Sequence, residues 1–196
     1  MFLSDVDIKK ALKAGDIVLS DFDNSRLRPA SYDILLGNKF IVNHPYRSAY
    51  IDPVNKIFPK THEIELGKGE TFVLHPGLSI LGFSKDYFGS SKYMVEVNGK
   101  SSLARIGLLV HNSASLINPG HFLNVALELC NLNNVPIILH PGMPIAQLTF
   151  STLSSSPITE YRKVGRYSSD NMHGYLPPKR STALKRNLLR IKRKSK

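Results

Sequence analysis

A chain of 196 residues, 42% of them hydrophobic, is long enough to bury a core and has the size of a single domain. Its formal charge of +11 suggests a polyanionic partner until it is mapped: residues 179–196 hold nine of the 26 Lys and Arg and no acid, so residues 1–178 keep the other 17 against 15 acids. One cysteine, Cys130, excludes an internal disulfide framework, and with no signal-like or ~20-residue apolar run the composition is that of a cytoplasmic, intracellular protein without a transmembrane segment.

In chain order, the first element is a helix. Ser4 caps DVDIKKALKAG, Asp7 follows three residues on, Ile8 and Leu12 share one face, and Gly15 supplies the stop. From residue 16 to about 153, Gly, Pro and Asn punctuate short apolar runs at intervals of about eight to twelve residues, which predicts an all-β sandwich or barrel. VLHPGLSIL at 73–81 and ILHPGMPIA at 138–146 echo one another and predict two similar hairpins. His75 and His140 in them are either metal ligands or members of turns in which Pro presets φ and Gly supplies a positive φ. After Ser154-Ser-Ser-Pro157 the strand pattern ends, and residues 158–178 collect Tyr161, Tyr167 and Tyr175, as expected of a lid or arm. The organisation is thus a β domain over 1–157 with its N-terminal helix, an arm over 158–178 and a basic tail over 179–196. In that tail Leu184, Leu188 and Ile191 stand at rough helical spacing, so it reads either as an amphipathic helix for nucleic acid or an anionic surface, or as a solvated tail.

Seven histidines and one cysteine cannot supply the His plus Cys-x-x-Cys set of zinc-dependent nucleobase deaminases, and HExxH, Walker, GxSxG and dinucleotide motifs are missing. The expected metal count is therefore none. What stands out is Glu128, the only acid between Glu96 and Glu160, inside Val125-Ala-Leu-Glu-Leu-Cys130. Strand alternation sets it on the face of Ala126 and Cys130. A partly desolvated carboxylate there suits taking a proton from water and returning it to a leaving amine; the alternative is a Glu on the solvent side of a half-exposed strand. Upstream, Asn98-Gly-Lys-Ser-Ser-Leu-Ala-Arg-Ile-Gly107 gathers two hydroxyls and two cations at a turn, either as a phosphate-binding segment or as an ordinary surface turn.

Taken together, LRPASYDILLGNKF at 27–40, FVLHPG at 72–77, GKSSLARIGLLVH at 99–111, INPG at 117–120, VALELCN at 125–131 and PGMPIAQL at 141–148 resemble the dCTP deaminase family of the dUTPase-like superfamily. The likeness runs from Phe2 to about Gly174. It implies a dUTPase-like distorted β-barrel or jelly-roll, a homotrimer with active sites between subunits, and zinc-independent deamination of dCTP carried with Mg2+ on its triphosphate. By position, Glu128, Ser101 and Arg105 match the catalytic residues. Lys100, Ser102, Ala114, Asn118, Ala126, Leu127, Gln147, Tyr161, Arg166 and Asp170 fall at substrate-binding positions. The water would be held near Ser101 and the main chain at Ala114, while Ala126 and Leu127 would offer backbone groups to the base. Gln147 and the Ser115-Leu116 pair resemble the bifunctional branch, which continues to dUMP and diphosphate.

Four positions depart from the family. Asn118 replaces an Asp and cannot act as a base. Leu123 stands where a turn glycine is expected, so the local hairpin should differ. Arg166 replaces a Lys, and Asp170 sets an acid where a phosphate-side Gln is expected. Two other readings follow: a dUTP diphosphatase that does not deaminate, against which Glu128 and Asn118 both speak, and a catalytically decayed fold serving as a nucleotide sensor or nucleic-acid-binding component.

Overall fold

The computed structural model describes residues 1–44, 49–159, 161–165 and 167. Arg166, Asp170 and the basic tail therefore lie outside the described residues, as does most of the arm. Helix α1 spans Asp5–Ala14 and begins and ends where its signals stand: Ser4 Oγ accepts from the Asp7 amide at 3.4 Å, and Gly15 closes it at φ 78°. Ile8 and Ala11 face inward and are buried.

The strands are β1 (Ile17–Leu19), β2 (Leu27–Arg28), β3 (Ser31–Asn43), β4 (Thr61–Glu65), β5 (Phe72–Leu74), β6 (Ser79–Ser90), β7 (Met94–Gly99), β8 (Leu108–Leu109), β9 (Leu116–Ile117), β10 (His121–Asn131), β11 (Ile137–Leu139) and β12 (Pro144–Ser151). Every pairing among them is antiparallel. The fold is all-β, as expected, with a curled sheet running β8-β10-β6-β3-β12-β7-β9.

Long strand β3 is the hinge of that curl. Its first half pairs with β12 through Tyr32–Leu35, and its second half pairs with β6 and β4 through Leu36–Asn43. One half of the sheet thus holds β12, β7 and β9, and the other holds β6, β10, β8 and β1. Alternation fills the space between them: Tyr32, Ile34, Leu36, Phe40, Phe88, Leu127, Leu129, Leu148 and Phe150 are all inaccessible to solvent. Burying each such side chain contributes about 1.5–3 kcal/mol.

The two His-Pro-Gly segments are turns, with Gly77 at φ 73° and Gly142 at φ 87°, closed by bonds from Leu78 N to His75 O and from Met143 N to His140 O. They do not form two hairpins. β5 pairs with β11, Leu74 opposite Ile137, and each turn passes the chain from this small sheet to the large one. The echo in sequence is an echo in structure, but the partner of each repeat is the other repeat. His75 and His140 are both exposed.

Leu123 is also placed differently from expectation. It lies inside β10, buried and opposite Phe88, because the turn sits earlier, at Asn118–His121. The irregularity falls at Val125, between Asn124 and Ala126, where Val125 N bonds to Ser84 Oγ at 2.9 Å. A leucine is therefore accommodated as a core residue, and the register of β10 against β6 resumes before Glu128.

Candidate active site

Strand β10 divides its side chains sharply. Leu127 and Leu129 point into the core, while Ala126, Glu128 and Cys130 lie half-buried on the other face, as alternation predicts. Glu128 stands opposite Leu81 of β6, and its Oε2 accepts from the Asn112 amide at 3.4 Å. Two residues on along the same face, Cys130 Sγ is 3.2 Å from Ser79 Oγ. On its other side, β10 is bonded to a strand only where β8 meets Cys130 and Asn131. Among the described residues, the backbone on that side at Ala126 and Leu127 has no strand partner.

Residues 100–107 are the link between the two halves of the sheet. They leave the end of β7, form the single turn α2 (Ser101–Ala104), and enter β8 beside β10. Leu103, Ala104 and Arg105 donate backbone bonds to Lys100 O, Lys100 O and Ser101 O at 3.0, 2.9 and 3.0 Å. Ser101, Ser102 and Arg105 are exposed. Lys100 is not: its Nζ is 2.6 Å from Asp33 Oδ1, and Asp33 is 1% exposed.

Asp33 is the residue that reasoning from sequence missed. It lies on β3 in register with Gln147 of β12, which is in register with Asn98 of β7. This polar row crosses three strands on the face opposite Tyr32, Ile34, Ala146 and Leu148. Gln147 Oε1 accepts from Ser31 Oγ at 3.3 Å, and its Nε2 donates to Gly99 O at 3.3 Å. Arg28 covers Asp33 from the other side, donating from Nε at 3.0 Å and Nη2 at 2.9 Å to Oδ2. The signal was the same one that picks out Glu128, a lone acid inside an apolar strand, SYDILLG.

Ala114 is exposed in the link between β8 and β9, and Asn118 is exposed in the turn between β9 and β10, where its O accepts from the His121 amide at 3.1 Å. Tyr161 opens the one-turn helix α3 (Tyr161–Val164) and stacks on His121, ring centroids 4.2 Å apart. A carbonyl only accepts, so the 3.1 Å contact between His121 Nε2 and Tyr167 O sets the proton on Nε2. Burial first, against this bond, holds His121 below the ordinary histidine range.

The fold therefore brings together Lys100, Gln147 and the turn carrying Ser101, Ser102 and Arg105. It sets Glu128, Ala126 and Leu127 on the neighbouring β10. Among the described residues of one chain, no hydrogen bond or ion pair joins Glu128 to Ser101 or Arg105. Nor do three or more His, Cys, Asp or Glu cluster as a metal site among them. No helix among them is long and apolar enough to cross a membrane.

A family model described as dCTP deaminase-like matches residues 2–153. A Dictyoglomus thermophilum protein named dCTP deaminase, dUMP-forming, is 39% identical over 178 residues, covering 89% of this chain and 92% of its own. A Tropheryma whipplei protein of the same name is 43% identical over 162 residues, covering 82% and 83%. Among solved structures, 2'-deoxycytidine 5'-triphosphate deaminase from Agrobacterium tumefaciens superposes with a TM-score of 0.58 at 22% identity. It covers 77% of this chain and 48% of that one, and supports the fold. Motifs, topology and full-length relatives agree: the chain belongs to the dCTP deaminase-like family.

Proposed function

We propose that this protein is an enzyme that deaminates dCTP and carries the product on to dUMP. The observation that carries the reading is Glu128, a half-buried carboxylate on the face of β10 away from the core, next to backbone at Ala126 and Leu127 that, among the described residues, has no strand partner on one side. It is joined by family membership through relatives named dCTP deaminase, dUMP-forming.

In the first step a water held near Ser101 and the main chain at Ala114 gives one proton to Glu128 as its oxygen bonds to C4 of cytosine. Glu128 passes that proton to the amino group, the C4–N bond breaks, and ammonia leaves. The second water proton ends on N3 as C4 becomes a carbonyl, giving dUTP. Ala126 and Leu127 hold the base through backbone groups, and Arg105 stabilises the charge that develops on attack. Asn118 takes a deoxyribose hydroxyl. Lys100, Ser102 and Gln147 face the triphosphate, and Tyr161, Arg166 and Asp170 supply the remaining substrate-binding positions. Magnesium would come with the substrate and offset part of the triphosphate's negative charge beside Lys100 and Ser102, and the proposed reaction uses no zinc. A second water then cleaves dUTP to dUMP and diphosphate. Exposed Ser101 and Arg105, which among the described residues make no hydrogen bond or ion pair to Glu128 in their own chain, fit a homotrimer whose sites are completed between subunits. The β domain over 1–157 carries this chemistry in the cytoplasm.

Incubating the protein with dCTP and magnesium and resolving the products tests it. Ammonia and dUMP should appear. Glu128→Gln should lower the rate about 10²–10⁴-fold, the range for loss of a positioned proton shuttle. Intact dCTP at high enzyme concentration would overturn the reading; dUTP as the end product would limit it to the first step.

A further inference from the structure

We infer that Arg28 is a second cation for the polyphosphate of the substrate, paired with Lys100 through their shared anchor Asp33. The inference rests on the proposed nucleotide activity and adds a residue to that site. Asp33 has two carboxylate oxygens, and each is taken by a different cation: Oδ1 by Lys100 at 2.6 Å and Oδ2 by both Nε and Nη2 of Arg28. Among the described residues neither cation has another acidic partner, so two positive charges meet one negative charge. The excess of one positive charge is not buried. Asp33 is 1% exposed, whereas the Lys100 and Arg28 side chains are 20% and 52% exposed, so the unused donors lie at the surface.

Around them stand the other polar groups of the row. Ser31 and Gln147 bond to each other, and Ser101 and Ser102 follow Lys100 directly. A guanidinium tethered along one edge keeps its other edge available, and a planar fork so fixed suits the oxygens of a phosphate chain better than a free surface arginine does. Ion pairing with Asp33 holds both cations at one spacing before substrate arrives, which removes part of the entropy cost of ordering two long side chains.

Arg28→Gln should raise KM for dCTP about tenfold, the scale of one hydrogen bond to a charged group, with a smaller change in kcat. Inhibition by dCMP, which lacks the β and γ phosphates, should be unaltered, and Arg28→Lys should restore KM only in part. Calorimetry with inorganic triphosphate reads the same clamp without turnover, and Arg28→Gln should weaken that binding similarly. An unchanged KM and unchanged triphosphate affinity would overturn the inference. So would an equal loss of dCMP binding, which would place Arg28 at the nucleoside. If the wild-type protein leaves dCTP intact but Arg28→Gln still loses triphosphate affinity, the proposed activity fails while the clamp stands.

Discussion

Asp33 and Asp86 make an instructive pair of acids. Both are 2% exposed or less, both lie on strands of the same sheet, and both are ion-paired to an arginine from the segment between β1 and β3. Asp86 is closed in: Arg26 Nη1 meets its Oδ1 at 2.7 Å, the Leu35 amide meets its Oδ2 at 2.7 Å, and Arg26 spends its other end on Asp21 O while lying over the Tyr32 ring. The Arg26 side chain is 10% exposed. Among the described residues, the Asp33 carboxylate is bonded only to cations that reach solvent. The first carboxylate organises protein and nothing else; the second holds charge at a surface. Depth of the acid does not separate a structural pair from a functional one, whereas exposure of its partner does.

The largest effect should come from breaking the closed pair. Asp86→Ala leaves the Arg26 guanidinium buried without a counter-charge and frees the Leu35 amide, and should cost about 3–5 kcal/mol. Urea unfolding measures it. A loss below about 1 kcal/mol would mean that Arg26 escapes to water, and the distinction between the two acids would lapse.

The open pair should behave differently. Asp33→Asn should cost about 1–3 kcal/mol, because Lys100 and Arg28 can turn to solvent once released. Its KM for dCTP should nevertheless rise. If Asp33 only screened the site, removing its charge would strengthen attraction for a triphosphate and KM would fall, so the sign of the change separates anchoring from screening.

How much of this was legible in the sequence follows from the range of each interaction. The cap of α1 depends on residues three apart, Ser4 and Asp7, and was readable to the residue. Glu128 was readable because alternation within β10 fixes its face. The His-Pro-Gly turns were readable as turns, but the pairing of β5 with β11 joins residues about sixty apart, and no local signal specifies it. Leu123 was misjudged for a similar reason: its burial against Phe88 depends on the register of β6. Asp33 carried the same mark as Glu128, yet its meaning rests on Lys100, 67 residues away, brought across β12 by the sheet.

His121 sharpens the comparison from a third side, as a buried titratable group that, among the described residues, is bonded through Nε2 to the Tyr167 carbonyl. Burial, outweighing the bond to Tyr167 O, lowers its pKa from histidine's usual 6.5, which is the opposite of what an ion pair would do. The unfolded chain therefore binds a proton first on acidification, and the stability that neutral His121 permits is present above that value and is lost as the pH falls through it. Because the residue stacks on Tyr161, the loss should register at the contact between β10 and α3. The effect should be smaller than at either acid, since one partly shielded ring is involved. Measuring the urea midpoint from about pH 7.5 to about pH 5.5, wild type should lose more stability than His121→Phe, which keeps an aromatic ring against Tyr161 but cannot titrate. Parallel curves would show that His121 gains a proton without disturbing the contact, and an acid-stabilised wild type would require a hidden carboxylate beside the ring.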